Sequence, residues 1–115
     1  MTTETLEEAL KRVLANAESR IELRRKKTHD YASEGDWLGN FRRVSTILGT
    51  LNVKPDTMWG VAVIYIVLKL DRLCNLIFNA KTPENESISD TLDDLRNYVD
   101  LLEDCLIEKG IIEKC

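Results

Sequence analysis

The chain has 115 residues, 43% of them hydrophobic, with five Gly and two Pro; that is enough apolar material for one core and few breaks in it, so one helical domain is the natural reading. The net charge of −4 divides unevenly, with 10 Lys and Arg against 8 Asp and Glu over residues 1–55, and 6 against 12 over residues 56–115. A basic half facing an acidic half suits pairing within or between chains and argues against duplex nucleic acid, which needs a dominant basic surface.

The first residues, Met1-Thr-Thr-Glu4-Thr-Leu-Glu7-Glu8, have neither a basic region nor an apolar core, so no signal peptide is expected. The spacing of Leu6, Leu10, Val13, Leu14, Ala17 and Ile21 predicts a first helix from Thr3 to about Thr28. Glu4, Glu7 and Glu8 suit the positive end of its dipole. Arg24-Arg25-Lys26-Lys27 either complements the negative end or grips phosphate. The joint from His29 to Trp37 is rich in polar and aromatic side chains, and such loops on a rigid helical frame often carry binding groups. A short second helix is expected from Trp37 to Leu48, ended by Gly49. Phe41, Val44, Ile47 and Leu48 form its apolar face, and Asn40 and Arg43 project elsewhere.

Lys54-Pro55-Asp56 opens a third helix, from Pro55 to about Asn79. It is apolar all the way round from Val61 to Leu68, the mark of a central helix enclosed by others. The longest apolar run, Met58 to Leu68, is 11 residues, too short to span a bilayer, and a soluble, cytoplasmic chain is expected. Lys69, Arg72, Asn75 and Asn79 share one broad face in its second half. A third joint containing Pro83 leads to a fourth helix that ends at about Lys109 with Gly110 as its stop. Ser87, with Asp90 three residues later, resembles a capping box with Asp in place of Glu.

On the fourth helix Ile88, Leu92, Leu95, Val99, Leu102 and Leu106 fall on one stripe, while Asp90, Asp94 and Asn97 form a column on the other side. That column is either a solvated acidic face or a set of oxygen ligands for a hard cation, and a cation suggests a phosphate partner. The capping box competes for Asp90. Tyr98, Leu101 and Cys105 add a second apolar surface, which a homodimer completing a larger bundle would cover. Cys74, Cys105 and Cys115 are an odd count without metal-type spacing; Cys74 and Cys105 read as small core residues.

Four segments occur in a recognisable order: His29-Asp30-Tyr31, Asn40-Phe41-Arg42, Lys69-Leu-Asp-Arg72-Leu, and Asn85-Glu86-Ser-Ile-Ser-Asp90-Thr-Leu-Asp93-Asp94-Leu-Arg-Asn97-Tyr98. Together, over roughly His29 to Leu106, they resemble the first "nucleotide modification associated domain" family, found largely in phages. That family is similar to the MazG-like all-α NTP pyrophosphatases. The resemblance implies a four-helix, MazG-like bundle completed by dimerisation. It also implies a site where an ExxE pair and an ExxD pair hold Mg²⁺ and a nucleoside triphosphate is cleaved between its α and β phosphates. Clustered carboxylates bind the metal, which neutralises phosphate charge and activates water. Asp94 resembles the last residue of ExxD, but Thr91 stands three residues before it, with Asp90 as the nearby carboxylate. Where ExxE would lie, the chain has the cations Lys69 and Arg72, which either pair with the carboxylates or touch phosphates themselves.

The expected ligand is a nucleotide or nucleotide-derived phosphate compound, seated between the third and fourth helices under the first joint. Lys69 and Arg72 would hold phosphates, and Asp90 and Asp94 would hold Mg²⁺ or pair with those cations. Tyr31, Asn40 and Asn97 would orient the sugar or base, and His29 would be a phosphate donor, a base, or a surface cap. Tyr31 and Trp37 either stack on a base or plug the bundle end. Phe41, Trp59 and Tyr65 are assigned to the core. Three classes stay open on the sequence: a binder that does not hydrolyse, a Mg-dependent (deoxy)nucleoside triphosphate pyrophosphohydrolase, and a structural helical dimer.

Overall fold

Local capping chemistry sets where the helices begin and end. In the computed structural model, which describes residues 3–31, 36–79 and 81–114, the described residues form four helices and no strand: α1 (Leu6–Tyr31), α2 (Gly39–Thr50), α3 (Met58–Phe78) and α4 (Ile88–Lys109). The protein is all-α. Thr5 and Glu8 cap the start of α1 reciprocally, each side chain accepting from the other's amide at 3.1 Å. Thr57 caps α3 by accepting from the Gly60 amide at 2.9 Å. The Ser87–Asp90 capping box is formed, and Gly110, at φ 84°, ends α4 in the left-handed conformation.

Gly60 is required by a close approach. A Cβ there would lie 1.8 Å from the Lys54 carbonyl oxygen, so the turn carrying Pro55 can pass over the first turn of α3 only above a glycine.

α1, α2 and α3 begin at Leu6, Gly39 and Met58, a little later than the expected Thr3, Trp37 and Pro55, and two helix ends also differ from the sequence reading. First, α1 runs through His29 and Asp30 to Tyr31, so the first third of the expected joint is helix. Second, α2 passes through Gly49 and ends beyond Thr50, where Asn52 takes the left-handed conformation at φ 56°. Asn supplies that conformation with little cost, and Gly49 is not needed as a stop.

α3 is central, meeting each of the other three helices, with α4 packed most extensively along it. Its enclosure is incomplete, since Val61, Tyr65 and Leu70 remain exposed. Val44, Ala62, Val67 and Leu76 are the buried apolar side chains among the described residues. Phe41 and Tyr65, expected in the core, are exposed, because no second layer covers that side of α2 and α3. Trp59 is half-buried and lies beneath the Lys109 ammonium, 5.6 Å from the ring centroid. Cys74 and Cys105 are half-buried free thiols, and Cys115 lies outside the described residues.

A buried polar network does much of what a larger apolar core would do. Arg72 of α3 and Asp30 of α1 are both fully inaccessible, and Nη2 of Arg72 donates to Asp30 Oδ2 at 2.6 Å. Arg72 also donates to Thr91 Oγ1 and to the Glu86 carbonyl, both at the start of α4. Asp30 accepts from the amides of Glu84 at 2.9 Å and Asn85 at 3.0 Å. Around this centre the Asn75 amide donates to the Asp30 carbonyl at 2.9 Å, Lys81 donates to the His29 carbonyl at 3.1 Å, and His29 Nε2 donates to the Thr82 carbonyl at 2.8 Å. A second clasp joins α2 to α3 and α1: Arg43 grips Asp71 through two bonds of 2.6 and 3.0 Å and donates to the Tyr31 carbonyl at 2.9 Å.

Burial pushes the Asp30 carboxyl upward, but the Glu84 amide, Arg72 and the Asn85 amide outweigh it and hold its pKa below the ordinary aspartate value. A depressed folded pKa contributes stability that is complete above the unfolded value near 3.9 and is lost as pH falls through the folded value. Asp30→Ala, which leaves the Arg72 charge buried and unpaired, should cost about 3–5 kcal/mol in urea unfolding at neutral pH. Asp30→Asn should flatten the acid limb of stability against pH. An Asp30→Ala protein as stable as the parent would show that the pair does not organise the fold.

Candidate functional site

The clasps at Asp30 and Arg43 fix the last turns of α1 beside α2, α3 and α4, and a cleft of about 730 Å³ opens between these elements. One side is aromatic: Tyr31 ends α1, Trp37 and Phe41 come from the start of α2, and Tyr65 of α3 meets Tyr98 of α4. The last two rings stack at 5.2 Å between centroids with 17° between planes. The other side is cationic. Arg20, Arg24 and Lys27 recur on one face of α1 at helical spacing, and Lys69 of α3 lies deeper. Asn40, buried at the first turn of α2, supplies an amide between the two sides.

The four cations differ in what they already hold. Arg20, Arg24 and Lys27 are exposed and meet no carboxylate among the described residues. Lys69, with 17% of its side chain exposed, lies 2.6 Å from Glu86 Oε1 and 3.1 Å from Asp94 Oδ2. Burial disfavours its charge, but the hydrogen bonds to Glu86 and Asp94 prevail and hold its pKa above the ordinary lysine value. It stays an ammonium throughout the neutral range. Tyr31 lies half-buried with its ring 5.9 Å from the Arg72 guanidinium carbon. Burial raises its hydroxyl pKa against the opposing pull of Lys69 and Arg72, so it is a neutral donor at physiological pH.

Of the residues singled out by sequence, Tyr31, Asn40 and Lys69 meet in this cleft. The others lie apart. Arg72 has no accessible surface, and its donors point at Asp30, Thr91 and Glu86 rather than at any ligand space. His29 is turned to the α3–α4 connection through Thr82. Asp90 is exposed and held in the capping box, and Asn97 is exposed away from the cleft lining.

Asp90 and Asp94 were expected either to hold Mg²⁺ or to pair with Lys69 and Arg72, and Asp94 is found paired with Lys69 at 3.1 Å. Asp94 faces an ammonium, Asp90 is committed to the helix start, and among the described residues no three His, Cys, Asp or Glu side chains gather as metal ligands. Lys69 and Arg72 both take carboxylates: Lys69 holds Asp94 and Glu86, and Arg72 holds Asp30.

Sequence reasoning missed Asp30, Asp71 and Glu86 as organising residues, and Arg20 and Tyr98 as cleft residues. One signal for Asp30 was available. A carboxylate in the last turn of a helix opposes the macrodipole, and after four cations it implies a compensating partner elsewhere. Arg20 also repeats the Arg24 and Lys27 face one turn earlier, a column visible at the 3.6-residue period.

Compared with family models, curated proteins and solved structures, the chain matches none.

Because Lys69 already neutralises Asp94, millimolar Mg²⁺ alone should leave the melting temperature of the wild type and of Asp94→Asn equally unchanged in a thermal-shift assay. A Mg²⁺-specific rise present in the wild type and lost in Asp94→Asn would restore a metal centre at this position.

Proposed function

We propose that this chain binds a nucleotide or a nucleotide-derived phosphate ligand in the cleft and does not hydrolyse it, acting as a homodimer of MazG-like bundles in phage nucleotide metabolism or DNA modification. One observation carries the reading: five aromatic rings face three cations that lack carboxylate partners among the described residues, in a single cleft of about 730 Å³. This is the chemistry a nucleotide needs, a π-surface for the base and charge-assisted donors for phosphate. The size is that of a small-molecule pocket.

In this reading the base stacks against Tyr31 and Trp37, Asn40 bonds the base edge or sugar, and Arg20, Arg24 and Lys27 hold the phosphates. Lys69 adds positive potential from the floor of the cleft while its bonds to Glu86 and Asp94 keep it in place. The phage setting and the MazG-like bundle rest on the sequence resemblance over His29 to Leu106. Hydrolysis of a triphosphate needs an activated water beside a carboxylate-held metal, and the engagement of Asp94 by Lys69 favours retention of the ligand. The homodimer is supported by the extent of uncovered apolar surface: Leu6, Leu10, Leu14 and Ile21 of α1, with Trp37 and Phe41, are each more than half exposed.

Isothermal titration against nucleoside triphosphates, deoxynucleotides and cyclic dinucleotides, with pyrophosphate release measured in parallel, tests the reading. A ligand should bind with no pyrophosphate produced. Arg24→Glu and Lys27→Glu should each weaken binding by about 10- to 100-fold, the range expected when a charged hydrogen bond is lost. Trp37→Ala should cost about 1–3 kcal/mol of affinity through lost stacking. Failure of every nucleotide to bind would remove the proposal. Pyrophosphate release that disappears in Asp94→Asn would replace it with an enzyme.

A further inference from the structure

The first four turns of α1 lack the packing that normally holds a helix of this length. α1 has 26 residues, about 39 Å at the usual rise. It is tied to the rest of the fold over its last two turns, through Arg25 to Glu84, His29 to Thr82, the Asp30 side chain to Arg72 and the Tyr31 carbonyl to Arg43. Upstream, Leu6, Leu10, Val13, Leu14 and Ile21 form one stripe with exposures of 76, 60, 51, 61 and 69%. The radius of gyration is 18.7 Å, against about 13 Å for a compact domain of similar length, which is the signature of a projecting arm. An amphipathic helix draws most of its stability from burying such a stripe, so the arm is built for a partner.

The charge pattern identifies that partner as a second copy of the same arm. Glu4, Glu7 and Glu8 lie at one end of α1 and Arg24, Arg25, Lys26 and Lys27 at the other, with the apolar stripe between. An arm laid parallel to its copy would put acid on acid and base on base. Laid antiparallel, the pattern is self-complementary about a midpoint between Ala15 and Asn16. Leu10 then meets the partner's Ile21, and Leu14 meets the partner's Ala17, a large side chain against a small one. Glu7 falls opposite the partner's Arg24 and Glu4 opposite the partner's Lys27, which outweighs the like pair of Lys11 with the partner's Arg20. Such isologous self-complementarity is what a twofold interface requires.

We infer that two copies pair arm to arm, α1 of one protomer antiparallel to α1 of its partner along the Leu6–Ile21 stripe. The inference rests on the homodimer part of the proposed function and not on its ligand. It assigns the face by which the dimer forms.

Cross-linking and light scattering test it together, with Cys74, Cys105 and Cys115 replaced by Ser. Leu10→Cys and Ile21→Cys proteins are prepared separately, mixed, and oxidised. Antiparallel arms should join Leu10→Cys to Ile21→Cys and leave each variant alone uncross-linked, because two copies of position 10 would stand about 17 Å apart. Both sites are exposed, so folding, followed by circular dichroism, should survive, and Leu10→Glu with Leu14→Glu should convert a dimer to a monomer. Cross-linking of like positions, no cross-linking, or a dimer that persists in the double Glu variant would overturn the arm pairing while leaving the homodimer reading intact. A wild-type protein monomeric at micromolar concentration would overturn both. Arg24 and Lys27 also line the ligand cleft, so nucleotide titration of the Leu10→Glu, Leu14→Glu variant, which keeps both cations, separates failure of the arm pairing from failure of the ligand reading.

Discussion

The buried pair between Asp30 and Arg72 is the constraint on which the remaining structure depends. Taking two full charges out of water is costly, and the attraction between them offsets that cost only when the other polar atoms are also satisfied. Here nearly all are. Asp30 receives two loop amides besides the guanidinium, and Arg72 reaches the Thr91 hydroxyl and the Glu86 carbonyl. Its Nε is the buried side-chain atom left without a hydrogen bond among the described residues, 3.7 Å from Glu86 Oε1. One ion pair thereby sets the end of α1, the course of the α3–α4 connection and the start of α4. With only four buried apolar side chains among the described residues, this network specifies how the helices meet more strictly than hydrophobic packing can.

That role divides the cations of the chain into three kinds. Arg72 is structural, enclosed among the elements it joins. Lys69 is intermediate: it lines the cleft yet is held by Glu86 and Asp94. Arg20, Arg24 and Lys27 stand on α1 without carboxylates among the described residues, and they face the cleft only because Asp30 anchors the helix below them. The cations of α3 are instead held in internal salt bridges, which leaves the available positive charge of the cleft on α1.

How much of this was legible in the sequence follows from the range of the interactions. The four helices, the Ser87–Asp90 box and the Gly110 stop were readable because each depends on neighbours within a turn. The extension of α1 through Tyr31 was not, since the helix end is stabilised by Arg72 and by the amides of Glu84 and Asn85, all remote in sequence. Gly49 misled because glycine permits a helix to end but does not compel it. Tyr31, Asn40 and Lys69 were placed together by motif order, whereas Arg72 shared a helix face with Lys69 and still points elsewhere, because one turn of helix separates a wall position from the interior. Phe41 was assigned to the core from its place on the apolar face of the second helix, and Tyr65 from the apolar run around it. Periodicity reports which face is apolar but not whether another element exists to cover it.

The same limit explains the contrast between composition and burial. At 43% hydrophobic the chain has the apolar content of an ordinary domain, yet large side chains along α1, α2 and α3 stay in contact with water. A chain that leaves this much of its hydrophobic material outside cannot draw its full stability from itself, because burial is the dominant favourable contribution to folding. Whatever covered that surface would raise its stability, and in the proposed dimer folding and association would be one linked equilibrium that depends on protomer concentration. The polar network at Asp30 suits the proposed arrangement. It holds the single chain in one geometry, so that the arm and the cleft are already shaped before the exposed apolar surface meets a partner.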